Sequence, residues 1–476
     1  MQTGIRFRCY PPQPLAHSLH QWIGCQRHIF NAKVGEDRYF RAFARKSLSH
    51  TGQFAPIDQQ YAHFKTELTP WLKEVPSVVL RNGAVKWKQA YSRFFQKLSG
   101  RPVIQKKHGK QSVWLTSELF EFKEAVDPKT GIATHQLHLG TKKHCLGNLP
   151  FKAHRAFKLP ASIHISVHAG KWLLSFSYDD GIAQPSEAEV KAWLMQHSEA
   201  ELMGMTVGID RGIAIPFACS SGQDLDFSGI QKHRIAKQER YKKRWQKIQA
   251  RRKDGSNRKR KAKARVAAYS RYAADVRRDF AHKASCTIAS NPQHRLFAIE
   301  DLKVKNMTAS AKGAVEAPGK NVRQKAGLNR SILASAWGQT KTYLQYKARK
   351  RGKLCIAVPP HYSSQECAQC GHTHQDNRTS QSVFVCQRCD HTDNADRNAA
   401  RVIAKRGVRL LLSGKSVRKE KKRCAITRTK VGAECSEPAG AIPPTLVEIK
   451  VSRSSSNAAP LWSLIRETPA TRPQGL

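Results

Sequence analysis

The chain has 476 residues, enough for several domains and for a core that needs no disulfide staples. Its 83 lysines and arginines outnumber 35 acids, a formal net charge of +48 that predicts a large polyanionic partner. No stretch approaches eighteen consecutive apolar residues, and the first residues lack the pattern of a secretion signal. We therefore expect a cytoplasmic protein whose partner is nucleic acid and not a membrane.

Strand and helix patterns alternate in the N-terminal part of the chain. Residues 4–10 alternate apolar and polar side chains and predict a strand, whereas residues 13–100 look mostly helical. One helix is expected to start after Pro76, with an apolar stripe of Leu80, Ala84, Trp87, Tyr91 and Phe94. Short β-rich segments follow at 113–115, 135–139, 163–167 and 172–176. We predict a small barrel or twisted sheet from residues 1–12 and 101–179, with the helical segment 13–100 inserted into it.

A second unit follows a linker at residues 180–204, which is predicted to hold one short helix. Residues 205–214 start a new β-rich segment, and residues 296–300 form a short apolar strand that ends in an acid. Between them, residues 232–265 carry 17 lysines and arginines against two acids. A break at 254–256 and an apolar stripe in the second arm predict a helical hairpin that packs on one face and presents a basic face.

The later part of the chain combines a loop, two helices and a tail. Residues 303–327 are predicted to form a mobile loop, and a helix is expected over 332–349. A second helix over 395–405 should end with Gly407 as its C-cap. Residues 412–476 mix Lys-Arg runs with proline, serine and alanine and show little periodicity, which predicts a disordered tail.

Two CxxC pairs predict a metal site. Cys367 and Cys370 form the first pair, Cys386 and Cys389 form the second, and fifteen residues separate the pairs. This spacing can place four thiolates tetrahedrally around one Zn²⁺. A shell of four sulfurs leaves no open coordination position, so the predicted role of the zinc is structural. We assign a zinc ribbon to residues 361–392.

Three acids lie one to an element, roughly 90 residues apart. Asp210 ends one apolar strand, Glu300 ends another, and Asp396 lies in the first turn of the helix after the ribbon. This is the layout of an RNase H-like site, in which carboxylates from adjacent strand ends and a helix converge on divalent cations. Three acids suit two Mg²⁺ ions. Asp301 should point away from Glu300 because side chains alternate along a strand, and Asp393 is better placed as a helix cap.

The segments around these acids resemble a known family. Gly-Ile-Asp-Arg-Gly at 208–212, Ile-Glu-Asp-Leu at 299–302 and Asp-Arg-Asn-Ala-Ala at 396–400 look like the split RuvC motifs of the transposon-encoded TnpB/OrfB proteins. Compact type V CRISPR effectors share these motifs. The resemblance covers residues 5–410 and is specific from residue 206 onward. It implies that the acids of the three motifs are catalytic.

The resemblance implies an RNA-guided DNA endonuclease with the architecture of a multidomain α/β protein. A wedge-like β domain with a helical recognition region would bind guide RNA and read a short flanking motif in target double-stranded DNA. A RuvC-like nuclease domain at 205–360 and 393–411, with the inserted basic hairpin and zinc ribbon, would then cut the DNA by a two-metal mechanism. The family also implies a prokaryotic, nucleoid-associated protein without a small-molecule cofactor.

The predicted nucleic-acid contacts are Lys73, Arg81 and Asn82 near the start of the Pro76 helix and Lys242, Lys243 and Arg244 on the basic hairpin. Two alternatives stay open. One is a guide-independent RuvC or RNase H-type nuclease, or a transposase-associated protein. The other is a guide-directed DNA-binding repressor without cleavage, which would be expected to have lost one of the acids, whereas all three are present.

Overall fold

The computed structural model describes residues 2–44, 58–126, 133–141, 144–313 and 318–414. The predicted tail lies outside the described residues from 415 onward. None of the helices in the described ranges is long and apolar enough to span a membrane. The helices are α1 (Gln13–Tyr39), α2 (Ser77–Phe95), α3 (Glu187–Leu194), α4 (Glu199–Met205), α5 (Gly229–Ala250), α6 (Asn257–Ser290), α7 (Val304–Met307), α8 (Val322–Ala334), α9 (Trp337–Arg349) and α10 (Ala395–Leu412).

The first sheet has seven antiparallel strands in the order β2-β6-β7-β1-β5-β4-β3. The strands are β1 (Gln2–Cys9), β2 (Gln111–Thr116), β3 (Phe120–Val126), β4 (Ala133–Gly140), β5 (Cys145–Lys152), β6 (Ser162–His168) and β7 (Lys171–Asp179). The N-terminal strand lies in the middle of the sheet, paired with β7 from Gln2 opposite Asp179 to Cys9 opposite Trp172. All five strands predicted in this part of the chain are therefore confirmed, while β3 and β5 were not predicted.

This sheet is curled, but in the described residues its two edge strands are not hydrogen-bonded to each other, so the barrel is not closed. Its edge strands β2 and β3 are joined only by a single 3-10 turn, Ser117–Leu119, so the two edges must approach each other. Aromatic side chains fill the inside of the curl, where the rings of Phe122 on β3 and Phe176 on β7 lie 5.7 Å apart. The twisted sheet, and not the closed barrel, is the form that the strand order supports.

Helices α1 and α2 pack together and against β2, and they share one hydrophobic core with the first sheet. The predicted stripe of α2 is buried from Leu80 to Tyr91, while Phe94 is half-buried. Gly83 permits the close approach of the two helices, because a Cβ there would lie 2.7 Å from the carbonyl oxygen of Gln26. The inserted helical segment thus covers one face of the sheet.

The second sheet has five strands in the order β10-β9-β8-β11-β12. The strands are β8 (Thr206–Asp210), β9 (Phe217–Cys219), β10 (Asp224–Leu225), β11 (Leu296–Glu300) and β12 (Leu354–Val358). Strands β8, β11 and β12 are parallel, β9 and β10 are added antiparallel beside β8, and all five residues of β11 are buried. A separate hydrophobic core lies under this sheet, so the two sheets form distinct packing units.

Two glycines set the distance between the second sheet and α10. A Cβ on Gly208 of β8 would lie 1.9 Å from the carbonyl oxygen of Ala400, and a Cβ on Gly407 of α10 would lie 2.5 Å from the Cβ of Ala298. The prediction that Gly407 caps the helix is wrong, because α10 continues through it to Leu412. Its lack of a side chain serves packing and not helix termination.

Three further predictions change with the structure. The linker predicted at 180–204 holds two helices and not one, and Val190, Leu194 and Leu202 of α3 and α4 pack on the second sheet. Within the predicted loop 303–327, α7 and the start of α8 are helical. The helix expected over 332–349 is interrupted at Ala336, whose left-handed backbone has φ 59° and separates α8 from α9.

The basic hairpin is confirmed as two helices, α5 and α6, which pack along each other. The rings of Tyr241 and Tyr269 stack across it at 5.7 Å. Gly255, with φ 79°, makes the turn at its tip. At its root, Phe280 enters the core of the second sheet and lies 4.0 Å from the ring of Phe227. The hairpin is therefore anchored at one end, and its charged arms extend from that anchor.

Candidate active site and metal centre

The ends of two parallel strands bring two of the predicted acids together. Ile209 of β8 lies opposite Ile299 of β11 in the ladder, so Asp210 and Glu300 follow side by side at the same edge of the sheet. Glu300 is only 5% exposed, and its backbone pairs with Val358 of β12 on the other side. The parallel register alone therefore places two carboxylates at one point.

The third acid comes from the N-terminus of α10. Asn394 caps this helix, since its side-chain oxygen accepts hydrogen bonds from the backbone N–H groups of Asp396 at 3.0 Å and Arg397 at 3.3 Å. The prediction that Asp393 is the cap is wrong by one residue. A Cβ on Gly212, just after β8, would lie 3.8 Å from Oδ2 of Asp396, which places this carboxylate over the end of β8.

The other two acids lie close enough to Asp210 to act on its charge. Burial, Glu300 and Asp396 together raise the pKa of Asp210 to about 7. Burial also raises the pKa of Glu300. Converging, partly desolvated carboxylates repel one another, and divalent cations with oxygen ligands would relieve that repulsion. The donor set of this site therefore fits Mg²⁺.

Three side chains next to the acids were not predicted. Ser363 donates a hydrogen bond of 2.7 Å to Oε1 of Glu300, and Arg211, 4% exposed, donates to the backbone carbonyl of Glu300. Arg378 lies 3.3 Å from Oδ1 of Asp396 and also acts on Asp210. Arg211 could have been suspected from its place in the first motif, but no sequence signal pairs Arg378 or Ser363 with acids this far away in the chain.

The two neighbouring acids, Asp301 and Asp393, form ion pairs with other residues. Asp301 forms an ion pair of 3.1 Å with Lys341, and Asp393 forms one of 2.7 Å with Arg401. Neither is among the largest causes of the raised pKa of Asp210. The structure therefore separates these two acids from the group of three, as the strand alternation predicts for Asp301.

The four predicted zinc ligands converge in the ribbon. Cys367 Sγ lies 3.7 Å from Cys389 Sγ, Cys370 Sγ lies 3.6 Å from Cys386 Sγ, and all four sulfurs lie within 4.8 Å of one another. The backbone N–H of His372 lowers the pKa of Cys370 to about 7, which favours the thiolate. Four converging sulfurs match the donor set of a closed, structural Zn²⁺ site.

The ribbon is fixed to α10, the helix that carries Asp396. The strands β13 (Val383–Val385) and β14 (Thr392–Asn394) form its hairpin. The buried amide of Asn398 accepts from the N–H of Ala368 at 2.9 Å and donates to the carbonyl of Glu366 at 2.8 Å. The Arg406 guanidinium pairs with the Glu366 carboxylate at 2.5 Å. Buried polar contacts and an ion pair therefore join the ribbon to this helix.

Comparison with known proteins assigns the family. A family model described as "Probable transposase" (OrfB_IS605) matches residues 185–311, and one described as "Cas12f1-like, TNB domain" matches residues 337–403. Between them, these ranges contain the three acids and the four cysteines. The Escherichia coli K12 protein "Putative RNA-guided DNA endonuclease InsQ" is 32% identical over 424 residues, which cover 87% of this chain and 94% of that protein. The chain belongs to the TnpB/OrfB family.

A more distant relative and one solved structure also match most of the length of this TnpB/OrfB chain. A Streptomyces pristinaespiralis protein named "Putative RNA-guided DNA endonuclease" is 25% identical and covers 93% of this chain and 98% of its own. The solved "Structure of the mini-RNA-guided endonuclease CRISPR-Cas_phi3" covers 87% of this chain and 93% of its own, at 11% identity and a TM-score of 0.42.

The predicted nucleic-acid contacts near α2 of the TnpB/OrfB chain differ in exposure. Lys73 is exposed, and Arg81 forms a surface ion pair of 2.7 Å with Glu118. Asn82 is 1% exposed, and its amide donates to the carbonyl oxygen of Trp114 at 3.3 Å. The prediction that Asn82 reads DNA is wrong, because its buried side chain hydrogen-bonds to β2 and is not accessible to DNA.

On the basic hairpin of the TnpB/OrfB chain, Lys243 and Arg244 are exposed. Lys242 is half-buried, with its ammonium 3.3 Å from the carboxylate of Glu239. No residue of α5 is buried, in keeping with a surface that has room for a partner. These three residues stay predicted nucleic-acid contacts.

Proposed function

We propose that this chain is an RNA-guided endonuclease that hydrolyses phosphodiester bonds of target DNA at the site of Asp210, Glu300 and Asp396. The observation that carries this proposal is the convergence of three carboxylates from β8, β11 and α10. The names of the full-length relatives support the guide RNA and the DNA substrate, and the net charge of +48 suits a protein that holds both. The parallel strands with α10 packed on them support a RuvC-like domain.

Each side chain of the site has a task in this mechanism. Bound divalent cations, which we propose to be two Mg²⁺, would activate water and stabilise the leaving oxygen. Asp210, Glu300 and Asp396 would hold them, while Ser363 fixes the rotamer of Glu300 through its 2.7 Å hydrogen bond. Arg378 brings a positive charge to the edge of the site, where it can pair with the scissile phosphate in place of Asp396.

The other parts of the chain support binding in this proposal. The curled sheet from residues 1–12 and 101–179, with the helical insert 13–100, would bind guide RNA and read the flanking motif, with Lys73 and Arg81 as candidate contacts. One Zn²⁺ on the four cysteines would stabilise the ribbon at 361–392. Residues 205–360 and 393–411 would form the nuclease domain.

The function is tested with the native locus. We would express the chain together with its flanking DNA, sequence the RNA that co-purifies, and then replace the guide portion of that RNA. The reprogrammed complex is expected to cut double-stranded DNA that matches the new guide, in Mg²⁺ and only beside a short flanking motif. Cleavage of branched or single-stranded DNA without RNA would instead identify a guide-independent nuclease. Guide-directed binding without cleavage would identify a repressor.

The basic hairpin gives a separate prediction about binding. Changing Lys242, Lys243 and Arg244 together to Glu is expected to weaken RNA or DNA binding and to flatten its salt dependence, because fewer counterions are released. The measurement is the binding constant at several salt concentrations. Lys283→Glu is the control, since Lys283 is already paired with Asp279 at 2.9 Å. An unchanged affinity and salt slope in the triple variant would show that the hairpin is only a solvated surface.

A further inference from the structure

An unusual lysine lies where α1, α2 and β2 meet. The Lys86 side chain on α2 is half-buried, and its ammonium donates to Oε1 of Gln26 at 3.3 Å. The Gln26 amide is itself fixed, because it donates to the carbonyl of Trp114 at 2.9 Å and accepts from the N–H of Trp114 at 2.9 Å. A rigid but neutral amide is thus the hydrogen-bonding partner of this cation.

Two more basic residues face Lys86. His164 on β6 lies directly opposite Trp114 of β2 in the ladder, and the two rings stack at 6.4 Å. Lys110, which precedes β2, acts on both Lys86 and His164. Burial and Lys110 lower the pKa of Lys86 to about 8, and the pKa of His164, whose side chain is exposed at the surface, is lowered by partial desolvation and by both lysines. Two ammonium groups and an imidazole therefore lie near one another, and the two lysines oppose protonation of the imidazole.

No carboxylate compensates this cluster in the part of the chain that the structure describes. Some shielded lysines elsewhere are paired with acids, as Lys33 is with Asp58 at 2.7 Å and Lys341 with Asp301 at 3.1 Å, whereas Lys353 donates to the backbone carbonyls of Ala289 and Asn291. A cation removed from water without a counterion destabilises the fold. An arrangement of this kind is stabilised when an anion arrives from outside the chain.

We propose that Lys86, Lys110 and His164 form a binding site for one backbone phosphodiester group of bound nucleic acid. The two ammonium groups and a neutral imidazole N–H are all donors to phosphate oxygens. The hydrogen bonds between Gln26 and Trp114 hold the Gln26 side chain in place, and Gln26 in turn positions the Lys86 ammonium. The inference rests on the proposed function only in taking nucleic acid as the partner. Because the contact is to the backbone, it is independent of base sequence.

The test measures binding of Lys86→Met to two generic probes, a DNA duplex of about 30 base pairs and a single-stranded RNA of similar length, over a range of salt. Methionine keeps the length and apolar stem of the lysine. We expect affinity for at least one probe to fall about tenfold at low salt. The slope of log affinity against log salt should shrink by about 0.9 for duplex or about 0.7 for single strand. A loss with the duplex alone assigns the phosphate to DNA, and a loss with the RNA alone assigns it to RNA.

Lys123→Met is the matched control, because Lys123 is exposed and already paired with Glu121 at 3.1 Å. It removes the same charge and should leave the salt slope unchanged. Thermal unfolding of the free protein gives a second readout. Lys86→Met is expected to raise the melting temperature, since it removes an uncompensated charge, whereas a lysine that serves only to hold Gln26 would lower it.

A second variant, Lys110→Met, changes an exposed residue and is expected to reduce the salt slope in the same way. Unchanged affinity and slope with both probes in both variants would overturn the proposal, as would a lower melting temperature of Lys86→Met with intact binding. The measurement uses neither guide nor cleavage, so a negative result here leaves the proposed endonuclease function standing.

Discussion

Asp210→Ala, Glu300→Ala and Asp396→Ala are each expected to reduce DNA cleavage by about a thousandfold or more, while guide-dependent binding of the target stays nearly intact. Each acid would hold metal at the scissile phosphate, where loss of one electrostatic stabiliser has effects of about this size. Binding depends on base pairing and on many distributed lysines and arginines, which these changes leave in place. Cleavage rates and target affinity should be measured on the same complex.

Asp301→Ala and Asp393→Ala are the controls for these variants, because both acids lie beside the site and are paired with other residues. They should retain most activity. Near wild-type cleavage by Asp396→Ala would show that another residue is the third metal ligand, with Asp393 as the first candidate. Loss of target binding in all three active-site variants would show that the acids stabilise the fold and do not perform the chemistry.

Cys367→Ser or Cys389→Ser is expected to lose the bound zinc and to unfold the ribbon locally. Binding energy at a closed tetrahedral site is also folding energy, so one missing thiolate forfeits several kcal/mol. Cleavage should fall as well, because the ribbon positions Arg378 beside Asp396 and Asn398 fastens it to α10. Elemental analysis should give about one zinc per wild-type chain and much less in the variants.

Cys145→Ser is the control for the ribbon variants, since Cys145 is exposed on β5 and far from the four ligands in sequence. It should keep both zinc and thermal stability. Well-folded wild-type protein that contains no zinc would remove the claim of a structural site. An increase in amide hydrogen exchange that is confined to residues 361–410 of the Cys367→Ser protein would show that the unfolding is local.

Local sequence patterns were sufficient for the features that depend on local geometry. The strand ends at Asp210 and Glu300 were predictable because parallel strands place their carboxyl ends at one edge, and the CxxC spacing defined the four sulfurs before any fold was known. The stripe on α2 followed from helical periodicity. The helical stripe and the CxxC spacing are local, whereas the meeting of Asp210 and Glu300 also requires the long-range pairing of β8 with β11.

Features that depend on tertiary contacts were not predictable. Asn82 looks like a surface residue by its position in the helix, yet β2 lies against it and buries it. Glycine is a common residue type just after a helix end, but Gly407 lies inside a longer helix and faces Ala298. Arg378 reaches Asp396 only because the ribbon docks on α10. In each case the partner is distant in sequence and leaves no local signal.

The paired glycines at the sheet–α10 contact have a consequence for the precision of the active site. At Gly208 and Gly407 the closest contacts are to backbone atoms and to the methyl groups of Ala404 and Ala298, and the Ile356 side chain lies further off, 3.7 Å from a Cβ on Gly407. Rotamer changes cannot widen or narrow such a contact. The separation of the backbones that carry Asp210, two residues from Gly208, and Asp396, one helical turn before Ala400, is thus set by direct packing of backbone and methyl groups, which a larger residue at either glycine would force apart.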